Sequence, residues 1–489
     1  MLNLTTFAVV MRRISENLTN RISKIPMVMV VAPFAVGIFL SDMFVAPVWA
    51  LFLVCVVSLV GVIMLSKWWQ SLAVGVMICA LGALVHSLSF RGEIPYNTPL
   101  EMAIKVEQSS AVRKGYTSAE AVVEACANSN LNGCNIVVWG DSLTHFKAGD
   151  RLQLTTSVRP FKREREKYAR LMHHRGFVGS ISVRHNSQFD YIPAQRETLH
   201  DRAVARLQKA MPEGDARGVV LAMTTGERRE ISPELRAAYS SSGASHLLAV
   251  SGLHIGIVFM LINFLLLPLV MVRYGNIWRS VGAIALIWLY VWLCGFSPSA
   301  VRAAIMFSLL QFAILSLREY TSINILAGTA FVMLAFNTHL LFDISFQLSF
   351  IAVAGIILWA MPLYRICTTR FKLVNSFIGV ILVGVASTLA TMPLVSELFS
   401  TVSIVGILIN PIVIFLANVV VLSGLLALAL PLLGVIAEYA ALGQNSIVEW
   451  AASLPYGHFD ITLPEWAVWT IYGVFATATL LLWLIPKED

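Results

Sequence analysis

Residues 47–65 read PVWALFLVCVVSLVGVIML, a stretch with no charged residue and Ser58 as its one hydroxyl. A helix built on it has no polar face, whereas a helix on the surface of a soluble protein keeps one. It is long enough to cross a hydrocarbon layer about 30 Å thick. Comparable runs flank it near 27–44 and 70–89, with Lys67 and the Trp68-Trp69 pair marking an interface between the last two. Apolar runs resume near 247–270, 277–294, 300–317, 322–338, 346–363, 373–392, 402–420, 421–437 and 466–485. Pro411 and Pro431 interrupt 402–437, and 443–464 reads as either a loop or an interfacial helix. The total comes to about 11 spans. The first run is read as a retained span, because no small-residue cleavage pattern follows it.

Composition agrees. Hydrophobic residues make up 57% of the 489, charged residues 13%, and the mean hydropathy is +0.75. Soluble domains carry roughly 25% charged residues, so a cytosolic enzyme and a disordered scaffold are both excluded. The formal charge of +7 says little about partners, but 18 of the 35 Lys and Arg fall between Arg91 and Lys209. Arg12, Arg13, Arg21 and Lys24 place the N-terminus in the cytoplasm by the positive-inside rule. Three spans then put the following segment outside.

That segment, 95–212, reads as short alternating strands: Met102–Glu107, Thr117–Cys126, Asn135–Trp139, Arg151–Ser157 and Gly179–Arg184. Asn132-Gly133 and Ala148-Gly149-Asp150 are turn signals. Strands of this number and length suggest a small β-barrel of the OB type. Helices are expected over Lys162–Arg170 and, with an amphipathic pattern, over Arg196–Ala210. The expected fold is therefore a polytopic all-α membrane protein with an inserted small extracytoplasmic OB-like barrel. Its expected domains are 1–94 (about three spans), 95–212 (the barrel and a linking helix) and 213–489 (the larger polytopic domain). Of the six cysteines, Cys55, Cys79, Cys294 and Cys367 sit singly in or beside apolar runs. Cys126 and Cys134 flank a turn in the polar segment, and an oxidising compartment would allow a disulfide between them.

Polar residues inside the apolar half carry the information, since each must be paired or face water. In SSGASHLLAVSGLH (241–254), His246, Ser251 and His254 stand among small residues. This is either a tightly packed interior segment or a broken helix lining a polar path. Arg302 follows Ser297-Pro298 into a span, where it either snorkels to the interface or meets a phosphate or an acid. Asp343 and Gln347 share a helical face. Asp343 either caps its helix or pairs with Arg302 across the bundle. Ser387 and Thr391 share a face before Pro393, and Asn410-Pro411 interrupts another run. Metal-binding HExxH, ATP-binding GxxxxGK[ST] and dinucleotide-binding GxGxxG patterns are missing, so no metal, cofactor or enzymatic activity is expected.

The block SGASHLLAVSGLH (242–254), with DISFQLSF (343–350), resembles the ComEC competence-protein family, bacterial inner-membrane DNA-uptake channels. Leu221–Pro233, Gly295–Met306, Ser387–Phe399 and Gly406–Pro411 match further family features more loosely, and the resemblance covers about residues 30–430. Longer members carry a C-terminal metallo-β-lactamase-like domain. This chain ends at Asp489 without an HxHxDH motif, so it resembles a short form, any nuclease being a separate polypeptide. The resemblance implies passage of single-stranded DNA across the inner membrane in natural transformation. The implied partners are single-stranded DNA, an extracytoplasmic DNA receptor and a separate cytoplasmic ATP-driven motor or strand-binding protein. On that reading Lys162, Arg163, Arg165, Lys167, Arg170 and Arg175 contact phosphates and Phe161 and Tyr168 stack on bases. His246, Ser251, His254, Arg302, Asp343, Gln347, Thr391 and Asn410 then line or brace the pore. A secondary transporter for a smaller solute is the alternative, since broken helices and intramembrane charges suit that class too.

Overall fold

A computed structural model describes residues 24–484 apart from 45, 67, 90–93, 114–115, 142–145, 147–148, 162–168, 170–171, 173–174, 184–188, 194–197, 317–320, 400, 404, 455–457 and 461–462. The chain gathers into two compact units. One comprises Ala32–Thr198 and Val332–Phe346, the other the rest of the chain.

The first unit opens with α1 (Pro26–Met43), which starts in the other unit, α2 (Val48–Met64) and α3 (Trp68–Ser89). Gly37 of α1 lies directly on the Cys79 carbonyl, and Gly82 of α3 lies on the Phe34 carbonyl. The absence of a side chain at both positions lets the two backbones touch, as small residues do between membrane helices.

A six-stranded sheet follows: β1 (Pro99–Arg113), β2 (Tyr116–Cys126), β3 (Asn135–Asp141), β4 (Arg151–Ser157), β5 (Phe177–Val183) and β6 (Phe189–Ile192). Its order is β5-β3-β2-β1-β4-β6, with β3 and β5 parallel and the other pairs antiparallel. Met102, Ile104, Val106, Ala119, Ala121, Val123, Ile136, Val138, Leu152, Leu154, Ile181 and Val183 alternate into one core. The turn signals hold: Gly133 and Gly149 both take positive φ.

The expected OB-like barrel is corrected, because the sheet does not close. Strand β6, absent from the sequence reading, pairs along Arg151–Leu154 and takes the free edge of β4. Beyond β4 the chain meets β5 at one isolated bridge, Arg159 to Ser180, and no ladder joins the end strands. Cys126 and Cys134, which an oxidising compartment would allow to pair, are both thiols in this structure, and Cys134 Sγ donates to the Asn130 carbonyl.

The second unit holds the amphipathic α4 (Leu199–Ala210), α5 (Asp215–Thr224), α6 (Pro233–Ser241), α7 (Gly252–Leu265), α8 (Gly275–Leu293) and α9 (Pro298–Leu315). Then come α10 (Ser322–Phe336), α11 (Ile344–Gly355), α12 (Met361–Cys367), α13 (Lys372–Phe399), α14 (Val405–Ala427), α15 (Gly434–Ala452) and α16 (Glu465–Leu484), with α10 and α11 shared between the units. A π-helical stretch, Ile356–Ala360, joins α11 to α12. Helix α4 laces two helix ends: His200 Nδ1 is 2.8 Å from the Leu293 carbonyl, and Arg206 donates to the Leu428 carbonyl. Cationic and imidazole groups suit such carbonyl ends. Ser232 caps α6, its Oγ accepting from Leu235 N, with Pro233 in the first turn.

Among the described residues seven helices are long and apolar enough to cross a membrane, whereas α2, α7 and α10 are apolar but shorter. The pair of spans expected over 402–437 is replaced by the single helix α14. Pro411 lies in its second turn and is tolerated there, since α5, α7 and α15 pack around the helix. The break falls at Pro431 instead, just before α15.

Candidate functional site

The polar residues of the second unit gather where α6 gives way to α7. Helix α6 ends at Ser241, and Gly243, with φ +78°, turns the chain away. A side chain there would also meet Ser403 Cβ at 2.9 Å, just before α14. A 3-10 turn, Ser245–Leu248, follows, and His246 stands exposed on it. Ser251 and His254 then start α7 by reciprocal capping. Ser251 Oγ accepts from His254 N at 3.4 Å, and His254 Nδ1 accepts from Ser251 N at 3.2 Å. The histidine thus stands where a capping box ordinarily has Glu or Gln. Helix α9 packs on α7: Ser299 Oγ donates to the Val250 carbonyl, and a methyl at Gly252 would lie 3.9 Å from Ala303 Cβ. Arg302, 6% exposed, precedes that contact residue on α9.

Several buried polar atoms here have no hydrogen-bond partner among the described residues: His254 Nε2, Thr224 Oγ1, Ser297 Oγ, Asn410 Oδ1 and Asn418 Oδ1. They lie on α5, α7 and α14 and just before α9, and α14 packs against both α5 and α7. Such a group costs about 1–3 kcal/mol when left unsatisfied, and in a native protein it calls for water, an ion or a ligand. Nearby, Tyr239 is fully buried and satisfied, donating to Asn445 Oδ1 at 2.9 Å and accepting from Gln444 Nε2 at 3.0 Å.

Thr391 sits half-buried on α13 and turns its hydroxyl back to the Ser387 carbonyl at 2.9 Å. Pro393 is accommodated within that continuous helix. Gln347 is half-buried on α11. The sequence reading missed Thr224, Ser297 and Asn418. A hydroxyl in a short apolar stretch is a weak signal, but Asn418 within FLANVVV was legible by the same rule that singled out Asn410.

In the first unit, Asp343 is a helix cap, accepting from Phe346 N at 2.9 Å. Its other oxygen faces Arg175 Nε at 4.0 Å. Arg175 also donates to Glu120 at 3.0 Å and lies over the Phe177 ring. Phe161 packs against the cluster of Val137, Met172 and Phe177. The remaining residues read as DNA-contacting (Lys162, Arg163, Arg165, Lys167, Tyr168 and Arg170) lie outside the described residues. Among the described residues no cluster of His, Cys, Asp and Glu could hold a metal ion.

Apolar helices of spanning length, a soluble-type sheet and polar groups buried within the helical unit define a multi-pass membrane protein. A family model described as competence protein matches residues 223–486, which include the α6–α7 break and α14. The chain belongs to this competence-protein family, the ComEC family. It is 30% identical over 215 residues to ComE operon protein 3 of Bacillus subtilis, covering 44% of this chain and 26% of that one. It is 27% identical over 259 residues to an uncharacterized protein of Aquifex aeolicus, 51% of this chain and 58% of that one. Recombination protein 2 of Haemophilus influenzae is 27% identical over 171 residues, 34% of this chain and 22% of that one. The chain thus spans between 22% and 58% of the lengths of these relatives. No solved structure matches the chain.

Proposed function

We propose that this chain passes single-stranded DNA across the bacterial inner membrane during natural transformation. Family membership supports the reading, and one structural observation carries it. Within the family-matched segment, buried polar atoms on α5, α7 and α14 lack hydrogen-bond partners among the described residues. A hydrated path between packed helices is where such groups are tolerated in a membrane protein. Few cations accompany them, which suits a largely neutral path with phosphates kept hydrated. The N-terminus is cytoplasmic on this reading, and the sheet lies on the outer side, where it meets incoming DNA. The chain is a conduit rather than an enzyme. It works with an extracytoplasmic DNA receptor, a cytoplasmic ATP-driven motor or strand-binding protein, and a separate nuclease where one strand is degraded.

The test is uptake of labelled DNA by cells lacking this chain, with surface-bound DNA measured in parallel. Loss of internalisation at unchanged surface binding, restored by the wild-type chain, is the expected result. Normal internalisation without the chain would overturn the assignment.

A further inference from the structure

A second polar cluster lies in the first unit, away from the residues discussed above. The contacts of Gly37 and Gly82 bring the ends of α1 and α3 together, and Ser41 Oγ bonds Ser87 Oγ at 2.8 Å across them. Asp42, just after the first serine, and His86, just before the second, meet beside this contact. His86 is fully buried, with Nε2 3.6 Å from Asp42 Oδ1. Its Nδ1 is 2.8 Å from Thr338 Oγ1, on the 3-10 turn Thr338–Phe342 that precedes α11. Ser89 Oγ donates to the His86 carbonyl at 2.6 Å, and it also lies 3.4 Å from Thr338 Oγ1 and 3.3 Å from His339 Nε2. The chain of contacts therefore runs Asp42–His86–Thr338–Ser89–His339, with the two imidazole rings 5.3 Å apart. Asp42 is 29% exposed, Ser89 is exposed and His339 is half-buried, whereas His86 and Thr338 are buried.

A titratable group inside apolar helices is costly unless it is paired or used. Two hydroxyls joining two imidazoles have a definite use, because each hydroxyl can donate and accept at once. We propose that these five residues form a proton relay that loads the buried His86 from His339. At the start His339 is the imidazolium. His86 is neutral, its Nε2–H directed at the Asp42 carboxylate and its Nδ1 accepting from Thr338 O–H. Ser89 first turns its O–H from the His86 carbonyl to Thr338 Oγ1; the Nε2–H of His339 then breaks to protonate Ser89 Oγ, Ser89 passes its own proton to Thr338 Oγ1, and Thr338 passes its own to His86 Nδ1. One N–H bond is lost and one gained, both hydroxyls end intact with reversed direction, and one positive charge has moved to sit beside Asp42. His339 then regains a proton from solvent.

Among the described residues, the charged or titratable groups facing His86 are Asp42 from α1 and His339 from the turn; α3 offers none besides His86 itself. The turn continues through Phe342, stacked on Phe39 at 6.5 Å, to Asp343, which caps α11 and faces Arg175. Loading His86 turns Thr338 from a donor to that ring into an acceptor from it. The relay thereby makes the anchorage of the turn that starts α11 responsive to protons. This inference does not depend on what the second unit transports.

The test uses the full chain in lipid nanodiscs with isotopically labelled histidine, the His86 and His339 ring signals being assigned with His86→Gln and His339→Gln. Exchange of the His86 ring N–H with water is expected to slow about tenfold or more in Thr338→Val and in Ser89→Ala. Thr338→Ser, which keeps the hydroxyl, should exchange as the wild type does. Asp42→Asn should lower the share of doubly protonated His86 at any given pH. Unchanged exchange in Ser89→Ala, which removes only a surface hydroxyl and leaves the fold intact, would overturn the relay. So would a Thr338→Ser variant as slow as Thr338→Val, or a wild-type His86 ring that never becomes doubly protonated as the pH falls while the chain stays folded.

Discussion

Arg175 reaches the carboxylate of Asp343 with its Nε 4.0 Å from Oδ2, while Oδ1 of the same carboxylate accepts from Phe346 N at 2.9 Å. The arginine side chain is 32% exposed and the aspartate 17%. A half-exposed pair at that distance contributes about 0–1 kcal/mol. A helix cap contributes about 0.5–2 kcal/mol. Asp343→Ala is therefore expected to destabilise more than Arg175→Ala does through this contact. In a double-mutant cycle read by thermal unfolding, the coupling should stay below about 1 kcal/mol. Coupling well above that would make the ion pair, rather than the cap, the main role of Asp343.

Tyr239→Phe removes one hydroxyl from a fully buried site and strands Asn445 Oδ1 and Gln444 Nε2. The expected cost is about 1–3 kcal/mol, the penalty for unsatisfied buried polar groups. Unfolding of the purified variant in detergent measures it, and a change within a few tenths of a kcal/mol would show that water replaces the hydroxyl.

Asn410→Leu separates stability from transport. Its Oδ1 is buried without a partner among the described residues, so an apolar side chain of similar size should leave the fold as stable or more stable. If the group faces a hydrated path, DNA internalisation should fall sharply all the same. Wild-type uptake at wild-type expression would remove Asn410 from the path.

Gly37→Leu and Gly82→Leu each place a side chain against the backbone of the neighbouring helix, at the Cys79 and Phe34 carbonyls. Backbone cannot move aside as a flexible side chain does, so α1 and α3 must part. The expected cost exceeds the roughly 1–3 kcal/mol of ordinary overpacking. Size-exclusion chromatography should show little folded protein for either variant, while Gly75→Ala, where nothing lies within 4 Å, should behave as the wild type.

Tyr191 provides a pH test in the sheet. Its hydroxyl donates to Asp150 Oδ2 at 2.9 Å, and burial, then the Asp150 hydrogen bond and charge, push its ionisation up from the usual tyrosine value. A folded-state value raised above the unfolded one gives stability that is complete below the unfolded value and lost as pH climbs through the folded one. The sheet should thus lose stability above about pH 10. Tyr191→Phe should flatten that alkaline limb in urea titrations monitored by β-sheet circular dichroism. An unaltered limb would assign it to other groups.

Much of this was readable from residue order. The run at 47–65 and its neighbours announced membrane helices, because a segment without a polar face has nowhere else to go. The strands at 102–157 and 179–184 were legible from strict alternation, the Ser232-Pro233 start of α6 from its cap, and the turns from Gly133 and Gly149. The block 242–254 carried enough specific residues to indicate the family. Strand β6 was not legible: Phe189–Ile192 is four residues long and exposed along most of its length, so it lacks a periodic signal. That omission produced the mistaken barrel, since closure depends on which strand takes the outer edge of β4.

The residues by themselves determined that this chain lives in a membrane, where most of its helices and strands lie, and which polar groups stand among apolar ones. These are local properties, set by side-chain hydropathy, backbone preference and the period of the pattern. Tertiary structure alone decided the partners: that Arg175 turns to Asp343 and Glu120, that Pro411 bends into one long helix, and that His86 meets Thr338 from 252 positions away. Such pairings depend on backbone approach between distant segments. Gly37 and Gly82 permit that approach, but nothing in their immediate neighbours announces it.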